Sequence, residues 1–367
     1  MRVAIVERQT IHKEGESTAK RLHTVAELLA IKGHAVSFYC LKWWEGEDRE
    51  RIHKGIRYYA VSEDAEDVAW RFAAQLPSKI REYGPDVIIA DGAEQAVVMG
   101  SKFTSIILRK PLVLDFYEQV EIKEGDRKKS KFVLGLADLV VVPSELVRTS
   151  VIEAGCEMGL VEKLPNPINI KRIKDTKAEA VADIVYSKSL DKNSNLESLL
   201  LALAELRDVK WKAVIIGEGE MKEFYERQIK DLRISRRVEF LGEIPIEKKI
   251  AIFKGAHVCV HTAIKSGFPK DFLLALACGC IGVAEYHESS SAHELIRHRE
   301  RGFRITDGDV LHQIIREAAK LPRKEIEEKF FEYGEKKFIE RYVGLIESLG
   351  KSKADKLIKD QSDMGVL

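Results

Sequence analysis

Residues 266–279 read SGFPKDFLLALACG, and this spacing predicts a helix from about Pro269 to the Cys278–Gly279 pair. The N–H groups of its first turn have no partner within the helix and present themselves to whatever lies on the N-terminal side, which makes this an anion site in waiting. On one side stands VCVHT (258–262) and on the other IGVA (281–284), both short apolar runs that read as buried strands. A glycine turn and a helix start at the carboxyl end of a parallel strand is where open α/β sheets take nucleotides.

Working outward, the same alternation continues in both directions. Upstream of the helix, strands are predicted at 183–188, 211–217, 238–242 and 257–262, with helices at 195–206, 221–232 and 246–255. Downstream come a strand at 281–286, a helix at 291–300, the strand FRITD (303–307) and a helix at 309–320. The first half repeats the theme. Strands are expected at 2–7, 35–40, 56–61, 86–91, 111–117 and 138–144, with helices at 18–32, 64–83, 93–103, 127–137 and 145–154. Strands separated by helices of ten or more residues imply parallel sheets covered on both faces. Between the halves, KLPNPINI (163–170) breaks helix and strand alike, and KRIKDTKAEAVA (171–182) is charged and unpatterned. The expected organisation is therefore α/β, with two Rossmann-like domains over 1–165 and 166–323. Residues 324–350 read as amphipathic helices long enough to reach back to the first domain, and the tail from Lys351 reads as frayed.

Composition narrows the function. Sixty basic residues stand against 59 acidic ones, so no overall field draws the chain to nucleic acid or to an anionic surface. Five cysteines without a C-x-x-C pair argue against a zinc site and a disulfide framework, and suit a reducing cytoplasm. The chain opens on the strand MRVAIVE and holds no apolar run long enough to span a bilayer, so any membrane contact is expected to be peripheral. One candidate for such contact is the polar loop LKWWEGEDRERI (41–52), where Trp43 and Trp44 sit beside Lys42. Adjacent residues of an extended segment point opposite ways, so one ring is expected outside as an interfacial anchor unless the loop folds over the core.

Several stretches resemble the family 4 glycosyltransferases of the GT-B fold. ADLVVVPSELVRTSVIEAG followed by KLPNPINIKRI is similar to the end of that family's N-terminal domain, and LAIKGHAVSFYC to its first helix and second strand. KAVIIGEGEMKEFYERQ, VEFLGEIPIEKKIAIFKGAHVCVHTA and LLALACGCIGVAEYHESSSAHELI resemble its nucleotide-binding domain. The resemblance covers most of the chain. It implies two facing domains with a C-terminal crossing helix, and a cleft where a retaining transferase takes sugar from a nucleotide diphosphate sugar. It implies no cofactor beyond that donor and no metal, the leaving diphosphate being met by helix dipoles and basic side chains. The acceptor stays open, a lipid-linked one included.

The departures fall on the family's working residues. Its two helix glutamates, eight positions apart, align with Ser266 and Leu274. The second holds the donor's ribose diol, which Leu274 cannot; Asp271, one turn earlier, either substitutes for it or only favours the positive end of the helix. The arginine and lysine that the resemblance places against the diphosphate align with Ser189 and Ser194, with Lys188 and Lys192 each within two residues. Its phosphate glycines are reduced to Gly15-Glu16-Ser17, where Gly15 and Ser17 form an N–H cradle or Ser17 is a plain helix cap. Its N-domain histidine aligns with Tyr117, followed by Glu118. Carried over likewise as donor-binding positions are Ser187, Gly217, Gly219, Gly267 and Phe268, with Ser289 and Ser290 on the loop after Glu288. Asp307-Gly308-Asp309 has a metal-binding spacing but reads better as a cap before a helix, and His257 and His261 read as structural. Two functions follow: a transferase using Lys188, Lys192 and Tyr117, or a relative that kept the fold, lost the reaction and serves as a binding or partner protein.

Overall fold

The computed structural model describes residues 1–8, 18–62, 69–120, 127–297, 299–306, 310–324 and 328–364. The chain divides into two compact units, Met1–Pro165 with Lys336–Leu367, and Asn166–Glu335.

The first unit contains strands β1 (Arg2–Val6), β2 (Ala35–Leu41), β3 (Glu50–His53), β4 (Ile56–Ser62), β5 (Val87–Asp91), β6 (Leu112–Asp115), β7 (Leu139–Val142) and β8 (Val161–Lys163). Its helices are α1 (Thr18–Ile31), α2 (Ala69–Tyr83), α3 (Gln95–Leu108), α4 (Arg127–Leu134) and α5 (Glu145–Glu153). The strands form one sheet in the order β3-β4-β2-β1-β5-β6-β7-β8. Every pairing is parallel except β3 with β4. Central strands such as Val87–Asp91 are buried along their whole length, which is why they read as continuous apolar runs rather than alternating ones.

The second unit runs α6 (Ile170–Asp175), β9 (Ile184–Ser187), α7 (Leu196–Glu205), β10 (Ala213–Ile216), α8 (Lys222–Asp231), β11 (Val238–Gly242), α9 (Ile246–Gly255), β12 (Val258–His261), β13 (Lys265–Ser266), α10 (Lys270–Ala277), β14 (Ile281–Glu285), β15 (Ser289–Ser290), β16 (Gly302–Ile305) and α11 (Leu311–Ala318). Its main sheet is wholly parallel, in the order β11-β10-β9-β12-β14-β16. The chain leaves β9 toward β11 on one side and returns to β12 on the other, so the strand order reverses between β9 and β12. The mixed α/β, doubly wound architecture expected from the sequence is present in both units.

Helix α12 (Glu335–Met364) follows the second unit in sequence but, from Lys336, clusters with the first. Phe338, Ile339, Tyr342 and Ile346 join the core beneath β1 and α1. Within that core the Tyr342 hydroxyl donates to Asp115 Oδ2 at 3.0 Å, and Arg21 Nε reaches Asp115 Oδ1 at 2.6 Å.

Local departures from the sequence reading have identifiable causes. The polar loop after β2 holds β3, an antiparallel hairpin partner of β4 closed at Lys54-Gly55, whose φ values of 51° and 77° match the mirror-image turn that hairpins favour. The stretch from Lys171, read as charged and unpatterned, opens within α6, whose first turn is capped by Asn169 Oδ1 accepting from Arg172 N at 2.8 Å. The helix expected at 291–300 is instead two 3-10 turns, Ala292–Leu295 and Arg299–Arg301. The tail expected to fray continues α12 as far as Met364.

The tryptophan pair does not form an anchor. Trp44 is 8% exposed and donates Nε1–H to the Asp48 carbonyl at 2.8 Å. Trp43 packs edge-on against Trp44 and Tyr58, with ring centroids 5.5 and 5.4 Å apart, so the loop folds over the core.

Candidate functional site

The reversal of strand order between β9 and β12 marks the second sheet's topological switch point, the place where side chains from two diverging loops leave room for a ligand. Five elements converge there. β9 ends at Ser187 and hands over to Lys188, which is half-buried. β12 ends at His261. Helix α10 starts at Lys270, and the residue before it, Pro269, supplies no side-chain cap. Loops after β10 and β14 complete the rim.

Glycines hold this rim together. Gly217 has φ +139°, and a Cβ there would stand 2.0 Å from the Lys188 carbonyl oxygen. A Cβ on Gly219 would stand 2.3 Å from the carbonyl oxygen of Leu190. The two loops can touch only because both residues lack side chains, and the contact is sealed by Leu190 N–H donating to Glu218 O at 2.8 Å and Met221 N–H to Leu190 O at 2.9 Å. Gly217 and Gly219 thus act on the site by fixing the loop that carries Lys188.

The opening segment of α10 is tied down on its other side. Lys265 and Ser266 pair in parallel with Ser289 and Ser290. Ser291 donates its N–H to Ser266 O at 2.9 Å and its hydroxyl to Gly267 O at 2.8 Å. Gly267 and Phe268 are buried, so their backbone rather than an open surface shapes the turn. The Ser290 side-chain oxygen is buried and has no hydrogen-bond partner among the described residues.

Asp271, in the first turn of α10, is fully engaged on one oxygen. Its Oδ2 accepts from Ser187 Oγ at 2.6 Å and from Lys249 Nζ, on α9, at 2.7 Å. The carboxylate therefore bridges a strand end, a helix start and a second helix, and Lys249 cancels the negative charge that would otherwise oppose an anion at the helix N-terminus. Only Oδ1 is left to meet a hydroxyl. Leu274, on the same helix, is buried in the core.

His261, at the end of β12, is strongly perturbed by its surroundings. Its ring lies 5.5 Å from that of Phe272, and its Nε2 is buried without a hydrogen-bond partner. Burial, followed by the nearby charges of Lys188 and His287, lowers its pKa to about 3. It is a neutral imidazole at physiological pH, a polar group in an apolar wall. His257, just before the strand that His261 ends, has the structural role expected of it, with Nε2 2.8 Å from the Leu321 carbonyl.

The remaining candidate positions are more dispersed. Lys192 is exposed on the turn that precedes Ser194, a buried residue bonded to Asp191 O and to the Tyr225 hydroxyl. Glu288 is exposed and Ser289 half-buried. Tyr117 belongs to the first unit and is buried there at 4% exposure, while Glu118 beside it is exposed. Gly15 and Ser17, like Asp307-Gly308-Asp309, lie outside the described residues. The structure thus brings Ser187, Lys188, Gly217, Gly267, Phe268, Asp271 and Ser290 to one edge of one sheet. It adds Lys249, which lies in an ordinary charged helix and which the sequence did not mark, and it places His261, read from the sequence as structural, at the same edge.

The chain is similar to known proteins over both halves. Residues 18–172 match the family model Glycosyltransferase Family 4, and residues 168–337 match the model Glycosyl transferases group 1. An uncharacterized glycosyltransferase of Methanocaldococcus jannaschii, MJ1069, is 27% identical over 178 residues, a stretch that covers 45% of either chain, so the match spans a little under half of that relative's length. Among solved structures, Anabaena Alr3699/HepE in complex with UDP-glucose superposes with a TM-score of 0.75 at 18% identity, over 95% of this chain and 100% of that one. A glycosyltransferase from Rickettsia africae ESF-5 gives a TM-score of 0.76 at 14% identity, over 95% and 98%. At these identities the structural matches speak for the fold.

Proposed function

We propose, for a chain whose two halves belong to the GT-B glycosyltransferases of the family 4 type, that it binds a nucleotide diphosphate sugar in its second unit and transfers the sugar, with retention of configuration, to a hydroxyl-bearing acceptor. The observation that carries this reading is the convergence of Lys188, the uncapped start of α10 and the neutral His261 at the switch point of a parallel sheet. The solved relative from Anabaena holds UDP-glucose, which supports a nucleotide sugar as the ligand class.

In this reaction the bond between the anomeric carbon and the diphosphate oxygen breaks, and negative charge builds on the departing diphosphate. Groups that meet this charge more strongly in the transition state than in the ground state accelerate the step. In our reading the Lys188 ammonium and the N–H groups of the first turn of α10 fill that role, with Lys192 as a second cation from the same loop. His261 serves as an uncharged hydrogen-bonding partner, and the loop contact through Gly217 keeps Lys188 in place. No cofactor beyond the donor is invoked.

A second reading has its own support. Ser266 and Leu274 occupy the positions of the family's glutamates, and Asp271 is committed to Lys249 and Ser187. A protein that binds the nucleotide sugar without transferring it satisfies the same geometry. Calorimetry with a panel of nucleoside diphosphates and their sugar conjugates, followed by product analysis with the conjugate that binds, separates the two. Binding with turnover supports the transferase, binding without turnover supports the binding protein, and no binding at millimolar concentration rejects both.

A further inference from the structure

The parallel sheet of the second unit has two ends, and the candidate donor site occupies only the carboxyl end. At the amino end β10 begins at Ala213 and β11 at Val238, while α7 and α8 finish at Glu205 and Asp231. These four ends surround a groove of about 410 Å³, a volume within the range of small-molecule sites. Its floor is apolar, made by the buried side chains of Leu203, Leu206, Trp211 and Ile234. Three arginines stand around that floor: Arg207 just past α7, Arg233 just past α8 and Arg237 at the foot of β11.

Capping the end of α7 accounts for only part of what these arginines offer. Arg237 is held in place, its Nη1 donating to the Leu206 and Val209 carbonyls at 3.3 and 3.1 Å and its guanidinium carbon 5.2 Å from the centre of the Trp211 ring. Arg207 commits Nε alone, to Ala204 O at 3.2 Å. A guanidinium carries five N–H donors, so most remain open around the groove. Among the described residues, none of the three forms an ion pair. The acidic residues nearby do not answer this charge. Asp231 lines the groove but pairs with none of the three, and Asp208 is taken by Arg316, which grips it through both oxygens at 2.6 and 2.8 Å. Residues 205–212 and 230–239 together hold seven lysines and arginines against four aspartates and glutamates. Cations gathered in a concave surface with apolar walls repel one another and focus a positive potential into it.

We propose that this groove is a second ligand site, and that it binds a small organic phosphate monoester. The planar forks of Arg207, Arg233 and Arg237 suit a dianion with three acceptor oxygens, and the apolar floor suits the organic part of the ester. The same features narrow the ligand from both sides. Inorganic phosphate leaves the floor uncovered, while an extended polyanion meets Glu205, Asp231 and Glu239 as soon as it leaves the groove. The site shares no residue with the donor site and lies at the other end of the strands, so it stands apart from the transferase reading.

Calorimetry of the full chain with phenyl phosphate and with inorganic phosphate tests this. Expected is binding of phenyl phosphate, more tightly than inorganic phosphate, and its persistence in Lys188→Ala. The decisive variant is Arg233→Gly. Arg233 closes α8 in the left-handed region at φ 58°, its N–H donating to Lys230 O at 3.0 Å and the N–H of Ile234 to Ile229 O at 3.1 Å. Glycine is the usual residue at that position, so the substitution removes the guanidinium and leaves the turn intact. Arg233→Gly should melt at or above the wild-type temperature and bind phenyl phosphate roughly tenfold to a hundredfold more weakly. Arg237→Gln should weaken it likewise. No binding of phenyl phosphate at millimolar concentration overturns the proposal, as does wild-type affinity in Arg233→Gly. Loss of binding in Lys188→Ala assigns the ester to the donor site instead, and equal affinity for the two phosphates rules out an organic ligand on the apolar floor. Failure of nucleoside diphosphates to bind bears only on the proposed function.

Discussion

Asp271 and Lys249 are 22 residues apart in sequence, on different helices, and their charged atoms meet at 2.7 Å with side chains only 20% and 14% exposed. The pair places a carboxylate at the start of α10 without leaving a net negative charge there. Ser187 adds a third element through the same oxygen at 2.6 Å. The start of the helix is thereby fixed to the end of the strand from which Lys188 departs.

Breaking this bridge should destabilise the second unit. Lys249→Met leaves a half-buried carboxylate with one donor fewer, and a loss of roughly 1–3 kcal/mol is expected from chemical denaturation. Asp271→Asn/Lys249→Met should recover part of that loss, since no lone charge remains. If both variants unfold with the wild-type midpoint, the pair is not what fixes the helix start.

Lys188→Ala tests the anion site directly. Charge-assisted contacts to a phosphate contribute about 1.5–3 kcal/mol, so affinity for a nucleoside diphosphate should drop roughly tenfold to a hundredfold. Affinity for the matching nucleoside should hardly change. Equal weakening of both ligands in calorimetry would place Lys188 away from the phosphates.

Gly217→Ala probes how that lysine is positioned. The new methyl group would meet the Lys188 carbonyl oxygen at 2.0 Å in a backbone conformation of φ +139°, so the two loops must part. A stability loss of roughly 3 kcal/mol and weaker diphosphate binding are expected together. Thermal melts and calorimetry on the one variant read both effects; a wild-type melting temperature would show that the loops separate at no cost.

The acid side of the stability profile should carry the signature of His261. Its folded pKa is lowered to about 3 from 6.5, chiefly by burial. Between those values the unfolded chain takes up a proton that the folded chain refuses, so stability falls as pH drops through the window, by at most about 1.4 kcal/mol per pH unit from this group. His261→Leu removes the titrating group, and its stability relative to wild type should therefore improve steadily from pH 7 to pH 4.5. Urea midpoints at pH 7, 5.5 and 4.5 measure this, and parallel profiles for the two proteins would refute a buried neutral imidazole.

By itself the sequence determined the parallel, doubly wound architecture and the helix from Lys270 to Ala277. Strands covered on both faces must be apolar throughout, and runs such as DVIIAD or VCVHT carry that requirement in consecutive residues. Ser187, Lys188, Gly267 and Asp271 were named as candidate positions through the family resemblance, and each sits beside the end of such a run or the start of a helix. Local chemistry that depends on a few backbone angles was harder to read: the Lys54-Gly55 hairpin and the Asn169 cap leave short signals, and the 3-10 turns at 292–301 have a charged composition that suits a helix equally well. Only the tertiary structure decided which partners meet. The Asp271 carboxylate finds Lys249 and Ser187, separated from it by 22 and 84 residues, because the crossovers of the sheet bring β9, α9 and α10 to one edge. His261 becomes a neutral polar group because Phe272 and the surrounding strands exclude water from it. In each case the deciding quantity is burial, which a side chain acquires from its neighbours in space and not from its neighbours in sequence.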